Sequence, residues 1–407
     1  MKKEINLSPY IIIVLLIVVV FVIILRLIPY ERFAENPDEN YYLKYAVRVA
    51  DNGLFEFRSF FREYLGDRNN WTFPNPLRIG FILLSAIFCK IFGNSFFSLT
   101  YLALFSYLVF IIINYYFCSK IFDREKAVLL ALLIAFSPLN MAMAKRALSD
   151  STTTLFFGLS IWTFLNLLLS EDKTIAKKIL FLLSFSFAVL VKETCVFLMV
   201  PFFIFTIIYK SKVKEKLNFS STLLYIFIYP AISVTLVYLL AAGDLSKIWE
   251  ISEVVSSTVK INVYAILFGS GPWFRYIIDY MLLSCLTTIL ALGYLFYLLK
   301  DMKKNDIRET YFFIVLLALF VSYNFFTKNI RYVIVFDLPI RLFSILMLYR
   351  LIPERIKPNL KLIILGTAVS LICITDIISF KKLFVLSGIY DPVTFLLLKS
   401  REMIPWL

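Results

Sequence analysis

The chain has 407 residues, 60% of them hydrophobic, and a mean hydropathy of +0.82. That excludes a soluble globular protein, whose surface could not hide so much apolar area. The net charge of +14 does not indicate nucleic acid either, because the basic residues cluster in short loops between apolar stretches, the positive-inside pattern of membrane proteins.

The first apolar stretch, Tyr10–Tyr30, is too long for a signal-peptide core and lacks a small-residue cleavage site, so it reads as a retained span. Spans are expected at 9–29, 96–118, 127–145, 151–169, 178–192, 194–209, 221–242, 276–299, 311–326, 330–349 and 359–378, eleven crossings in all. The predicted fold class is therefore an all-α polytopic membrane protein. Placing Lys2 and Lys3 inside leaves the short basic loops at Lys120–Lys126, Lys173–Lys178, Lys210–Lys216, Lys300–Arg308 and Arg350–Lys361 on the same side. The long loops 30–95 and 243–275 and the tail 380–407 then face out, and residues 1–379 form one transmembrane domain. Leu77–Phe92 is short and carries Arg78 and Lys90, so it is expected to lie half-sunk at the outer surface, with amphipathic helices in that first loop. Function normally sits in long loops over a rigid scaffold, which points to the outer face.

The sequence contains no histidine, so a general base must be Asp, Glu, Lys or Tyr, and a metal would need oxygen ligands. The five cysteines show no CxxC spacing, so neither a disulfide framework nor a zinc site is indicated.

Asn36-Pro37-Asp38-Glu39 opens a helix just beyond the first span: Asn36 caps, Pro37 takes the first helical position, and two acids fill the first turn. Tyr42, Tyr45, Ala46 and Val49 give the helix one apolar face, and Asn52-Gly53 stops it. Two readings of Asp38 and Glu39 stand side by side: acids favoured by the helix dipole, or a site at the bilayer boundary. Asp150 reads as an N-cap for a helix starting at Ser151, and Arg146 lies one turn away, close enough to pair with it or to hold an anion jointly with it. Lys192 falls in a very short break between spans, where it either snorkels to the headgroups or serves a site. Arg331-Tyr332 opens another span, and Arg is suited to paired hydrogen bonds with phosphate oxygens. Asp337 and Arg341, four residues apart in that span, are expected to form a buried pair.

In order along the chain these elements resemble a GT-C glycosyltransferase of the family 39 type, which includes protein O-mannosyltransferases and lipid A aminoarabinose transferases. The matching pieces are Asp38-Glu39 with Tyr41-Tyr42, Phe73-Pro74-Asn75-Pro76-Leu77 and Ile121-Phe122-Asp123-Arg124. They continue with Lys145-Arg146-Ala147-Leu148-Ser149-Asp150, Lys192, Gly271-Pro272-Trp273-Phe274, and Arg331-Tyr332 with Pro339. The family's usual His before its Pro-Pro element is missing, and the 28 residues after 379 leave no room for the soluble C-terminal domain of some relatives.

The resemblance implies an inverting transfer of a sugar from a polyprenyl-phosphate donor, dolichyl or undecaprenyl, to a lipid, glycan or protein hydroxyl. It implies a multi-pass cell-membrane enzyme working on the extracytoplasmic face. Asp38, Glu39 and Asp150 are the implied catalytic acids, with Asp38 as base. Glu39 and Asp150 orient the acceptor, hold Arg146 or bind a divalent ion. Arg146, Lys192, Arg331, Tyr332 and Tyr42 form the implied substrate-binding set. The wealth of outer cations favours neutralising phosphate without a metal, with a divalent ion as the alternative. The rival reading is a transporter or flippase with Asp279, Asp337, Arg341 and Asp376 along its path, against which stand the lack of repeated halves and the scarcity of glycine.

Overall fold

A computed structural model describes residues 16, 19–21, 37–170, 174–213, 219–261, 269, 271–300, 306–326, 328–353 and 355–386. Most of the predicted span 9–29, the Asn36 cap and the tail beyond Leu386 lie outside the described residues.

Helix α1 (Pro37–Asn52) starts where proline and two first-turn acids predict, and Gly53, at φ +80°, ends it in a left-handed conformation that suits glycine. Its buried face carries Tyr42, Tyr45, Ala46 and Val49 as the periodicity predicts. Helix α2 (Glu56–Gly66) buries Phe57, Phe60, Phe61 and Tyr64, and Arg48 of α1 binds its Glu56 and Glu63. A 3₁₀ turn, Arg68–Thr72, leads into helix α3 (Ile79–Phe92).

The bundle proper begins with α4 (Phe96–Ile121) and α5 (Arg124–Ala135), the latter capped by the Asp123 carboxylate on the Lys126 N–H. The span expected at 127–145 is broken. Pro138 forces Ser137 out of helical geometry (ψ 121°), and a separate helix α6 (Pro138–Met143) begins there. Next come α7 (Asp150–Leu169), α8 (Ile175–Val191), a 3₁₀ turn Glu193–Leu198 running into α9 (Met199–Val213), and α10 (Phe219–Ala242) with one π turn inside it. Helix α11 (Ser246–Ile261) lies within the segment expected to be a long outer loop. The span expected at 276–299 is two helices, α12 (Arg275–Leu283) and α13 (Cys285–Lys300). Between them Ser284 leaves helical torsions and donates its hydroxyl to Asp376 at 2.6 Å. Helix α14 (Ile307–Asn324), a 3₁₀ segment Ile330–Phe336 running into α15 (Asp337–Leu351), and α16 (Pro358–Phe380) complete the chain.

Seven helices among the described residues are long and apolar enough to cross a membrane, and α3 and α13 are shorter apolar helices. The protein is a multi-pass membrane protein. Polar pairs fix how its helices run. Ser106 meets Thr152 at 3.1 Å and Asn114 meets Trp162 at 2.8 Å, so α4 and α7 are parallel. Thr163 meets Ser184 at 3.0 Å, and α8 returns antiparallel. At one end of the bundle Arg308 donates to the Ile121 carbonyl at 2.5 Å and Tyr349 to Glu125 at 3.1 Å. The starts of α1, α3 and α7 and the end of α8 gather at the other. Midway, the expected Asp337–Arg341 pair is present at 2.7 Å, and Arg341 also reaches Asp376 at 3.0 Å. Asn140 and Tyr280 donate to Asp337, so this fully buried charge group is braced from four helices.

One close approach positions the functional end. A Cβ on Gly80, at the start of α3, would sit 3.0–3.1 Å from Leu190 and the backbone of Val191, at the end of α8. Glycine therefore lets Arg78 and Lys192 lie over the same recess. Gly80→Ala is expected to cost about 1–3 kcal/mol through overpacking. A melting curve of purified protein superimposable on the wild type's would show that the contact is not tight.

Candidate active site

The site is assembled from helix ends, where unpaired backbone groups and local dipoles accompany each side chain. Asp38 lies in the first turn of α1 and Asp150 opens α7, both at positive helix N-termini. Lys192 caps the C-terminus of α8, where a cation is favoured. Arg78 precedes α3, and Arg331 opens the 3₁₀ segment, its N–H accepted by the Asn329 carboxamide oxygen at 2.9 Å.

Asp150 is the hub. Its carboxylate takes Lys192 Nζ at 2.9 Å on one oxygen and stands 3.7 Å from Arg331 on the other. Arg331 in turn stands 3.7 Å from Asp38. Lys192 also lies 4.9 Å over the Tyr332 ring. Tyr42 is buried, and burial pushes its phenol up to about 12, with the guanidinium of Arg78 pulling the other way. It therefore stays a neutral hydroxyl, to which Arg78 donates. Asp38, Tyr42, Arg78, Asp150, Lys192, Arg331 and Tyr332 line one small recess. Three of these are cations and two are carboxylates, a balance that favours an added anion.

The recess shares Asp38, Arg78, Arg331 and Tyr332 with a larger cavity of about 420 Å³. Glu193 lines that cavity as well, and holds Arg78 at 3.3 Å and Asn75 at 3.3 Å. A separate apolar slot of about 170 Å³ is lined by Tyr276, Tyr280, Ala291, Leu317, Phe320 and Phe336. Phe336 packs on Tyr323, which lines the polar cavity, so one aromatic layer separates the two spaces.

The structure thus brings Asp38, Tyr42, Asp150, Lys192, Arg331 and Tyr332 together. It sets Glu39 and Arg146 behind them. Glu39 is 0% exposed and accepts from Arg146 Nε at 2.8 Å and the Ala147 N–H at 2.9 Å, and neither side chain lines either space. The pairing of Arg146 with Asp150 suggested by their spacing is replaced by these two separate pairs. Asp150 is likewise no N-cap. It is the first residue of α7, and its carboxylate is spent on cations. Sequence reasoning missed Arg78 and Glu193. The available signal was an arginine directly after Pro74-Asn75-Pro76-Leu77, which was weighed only as an obstacle to a span.

No curated protein matches the chain by sequence. Solved structures do match its architecture. ArnT from Cupriavidus metallidurans bound to undecaprenyl phosphate superposes with a TM-score of 0.55 at 15% identity, covering 89% of this chain and 63% of that one. The archaeal oligosaccharyltransferase AglB from Archaeoglobus fulgidus, in complex with an inhibitory peptide and a dolichol-phosphate, gives 0.61 at 15% identity, covering 91% of this chain and 55% of that one. The chain thus spans about three fifths of the length of these structures and shares their fold. Residues 76–242 match the sequence model of the family described as dolichyl-phosphate-mannose-protein mannosyltransferase. The match contains Arg78, Arg146, Asp150, Lys192 and Glu193, while Asp38 and Arg331 flank it.

Burial raises the Glu39 carboxyl above its ordinary range, with Arg146 pulling it back. A proton held more tightly when folded gives stability that is complete below the unfolded value and is lost as pH rises through the folded one. Glu39→Gln keeps the accepting oxygen and should flatten that slope. Glu39→Ala leaves Arg146 buried without its counter-charge and should cost about 3–5 kcal/mol. Equal melting temperatures for the two variants across pH 4–8 would refute this account of the pair.

Proposed function

We propose that this chain is a membrane glycosyltransferase that moves a sugar from a polyprenyl-phosphate donor to an acceptor hydroxyl, with inversion, on the extracytoplasmic face. The observation that carries the proposal is the shared space: a carboxylate, Asp38, opens into the same cavity as a cradle of three cations. The GT-C architecture and the family match support it, as do the lipid phosphates named in the ArnT and AglB structures.

The chemistry follows from what each side chain can do. The acceptor oxygen attacks the anomeric carbon, and the bond from that carbon to the phosphate oxygen breaks. Asp38 takes the acceptor proton. The departing lipid phosphate gains charge, which Arg331, Lys192 and Arg78 neutralise in a partly buried setting where such interactions are strong. Asp150 holds Lys192 and Arg331 in place, and the Tyr332 ring backs Lys192. The apolar slot suits the donor's hydrocarbon tail. A phosphate at a charged recess and a tail in an oily slot is the division an amphipathic donor requires. We further propose that these cations make a divalent ion unnecessary, and that the bundle end carrying Arg124, Arg308 and Arg350 faces the cytoplasm. A transporter is not favoured, because three of the four charges suggested for its path, Asp337, Arg341 and Asp376, are bonded to one another, and the fourth, Asp279, stands 3.7 Å from Arg275.

Asp38→Asn should fold normally and lower turnover by about 10²–10⁴; near-normal turnover would remove it as the base. Arg331→Ala should raise the donor KM by about tenfold to a hundredfold, the worth of a charge-assisted hydrogen bond. Unchanged donor affinity in a folded variant would move the phosphate elsewhere. EDTA should leave turnover intact, and loss restored by Mg²⁺ or Mn²⁺ would establish a metal.

A further inference from the structure

The 420 Å³ cavity is chemically two-sided. All four ionised side chains that line it, Asp38, Arg78, Glu193 and Arg331, come from the starts of α1 and α3, the turn after α8 and the 3₁₀ segment before α15. The wall contributed by the 3₁₀ turn with Phe73 and by α11 carries no ionised lining group: Trp71, Thr72 and Phe73 come from the first, Ser252, Ser256 and Thr258 from the second.

That wall is built rather than incidental. The Trp71 indole N–H donates to the Tyr64 carbonyl at 2.8 Å, and the Tyr64 hydroxyl returns a bond to the Trp71 carbonyl at 3.3 Å. Phe73 stacks on Tyr41 at 3.9 Å between ring centres. The aromatic side is therefore fixed before anything binds. On α11, positions 252 and 256 are one helical turn apart and share a face. Ser252 and Ser256 donate their protons to the preceding turn and keep lone pairs for an incoming donor. Thr258 is 8% exposed, and its hydroxyl has no partner among the described residues. A buried unpaired hydroxyl costs free energy unless a ligand satisfies it.

We propose that this wall is the acceptor subsite and that it takes a neutral sugar ring, so that the acceptor is a glycan. The inference rests on the transferase reading above and specifies its acceptor. Aromatic faces cover the apolar C–H surface of a pyranose, and hydroxyls at helical spacing meet its equatorial oxygens. The cations that line the cavity, Arg78 and Arg331, belong to the donor-phosphate set, and none comes from the part of the lining that carries Trp71, Phe73 and the hydroxyls.

The test uses the full-length protein in nanodiscs and saturation-transfer NMR with a panel of neutral methyl glycosides, which needs no donor. Saturation of at least one glycoside is expected in the wild type. It should be lost in Trp71→Ala and weakened about threefold to tenfold in Thr258→Val, a near-isosteric change that breaks no internal bond. Undecaprenyl phosphate binding should be unaffected in both. No glycoside signal in the wild type, signals indifferent to both variants, or saturation of a Ser/Thr-rich peptide instead would overturn the proposal. Glycoside binding that behaves as expected in a protein that binds no undecaprenyl phosphate would leave the sugar subsite standing and sink the transferase reading.

Discussion

A carboxylate placed at a low-dielectric boundary must be compensated, and the bond between Asp150 and Lys192 is the compensation on which the functional end of this protein is organised. Lys192 terminates one span and Asp150 begins another, so their 2.9 Å contact fixes two long helices end to end. The second oxygen of Asp150 then faces Arg331 at 3.7 Å, although the two are far apart along the sequence. Arg331 in turn faces Asp38. One chain of alternating charge therefore runs through four segments of sequence. Its last member, Asp38, is far more exposed than Asp150, and the separate pair Glu39 with Arg146 is sealed.

The alternation has a chemical consequence. Fully paired ions are poor binding groups, because every contact they could offer is already made. Here the pairing is graded. Glu39–Arg146 and Asp150–Lys192 are close, at 2.8 and 2.9 Å, whereas Arg331 stands 3.7 Å from both Asp38 and Asp150. The close pairs hold their charges in fixed positions, and fixed charge is what preorganised stabilisation requires.

Much of this was legible in the sequence because it depends on local rules. Pro37 with two acids starts α1, Gly53 ends it, and the tyrosine spacing gives its buried face. Asp38, Lys192 and Arg331 could be singled out because charge at the ends of apolar stretches is unusual. What was not legible depends on distant packing. Arg78 becomes a site residue because Gly80 lets α3 rest against Leu190, a contact with no trace in the local pattern. Arg146 chooses Glu39 over the nearby Asp150 because α1 folds back across 107 residues. Ser284 divides an apparent span because Asp376, 92 residues on, accepts its hydroxyl. The break at Ser137-Pro138 is the exception. Its signal was local, yet the hydropathy of the surrounding stretch outweighed it.

The aromatic layer of Tyr276, Tyr323 and Phe336 completes the argument, because it divides polar from apolar space. Phe336 packs on both tyrosines, and Tyr323 reaches the polar side by donating to Thr194 at 3.2 Å. A molecule with a single phosphate and a long hydrocarbon chain can occupy recess and slot together only by crossing this layer's edge. A water-soluble nucleotide sugar would leave the slot empty, and a plain hydrocarbon would bring no anion to the cation-rich recess. The partition of the molecule into these two environments therefore argues for an amphipathic, singly headed donor independently of which sugar it carries.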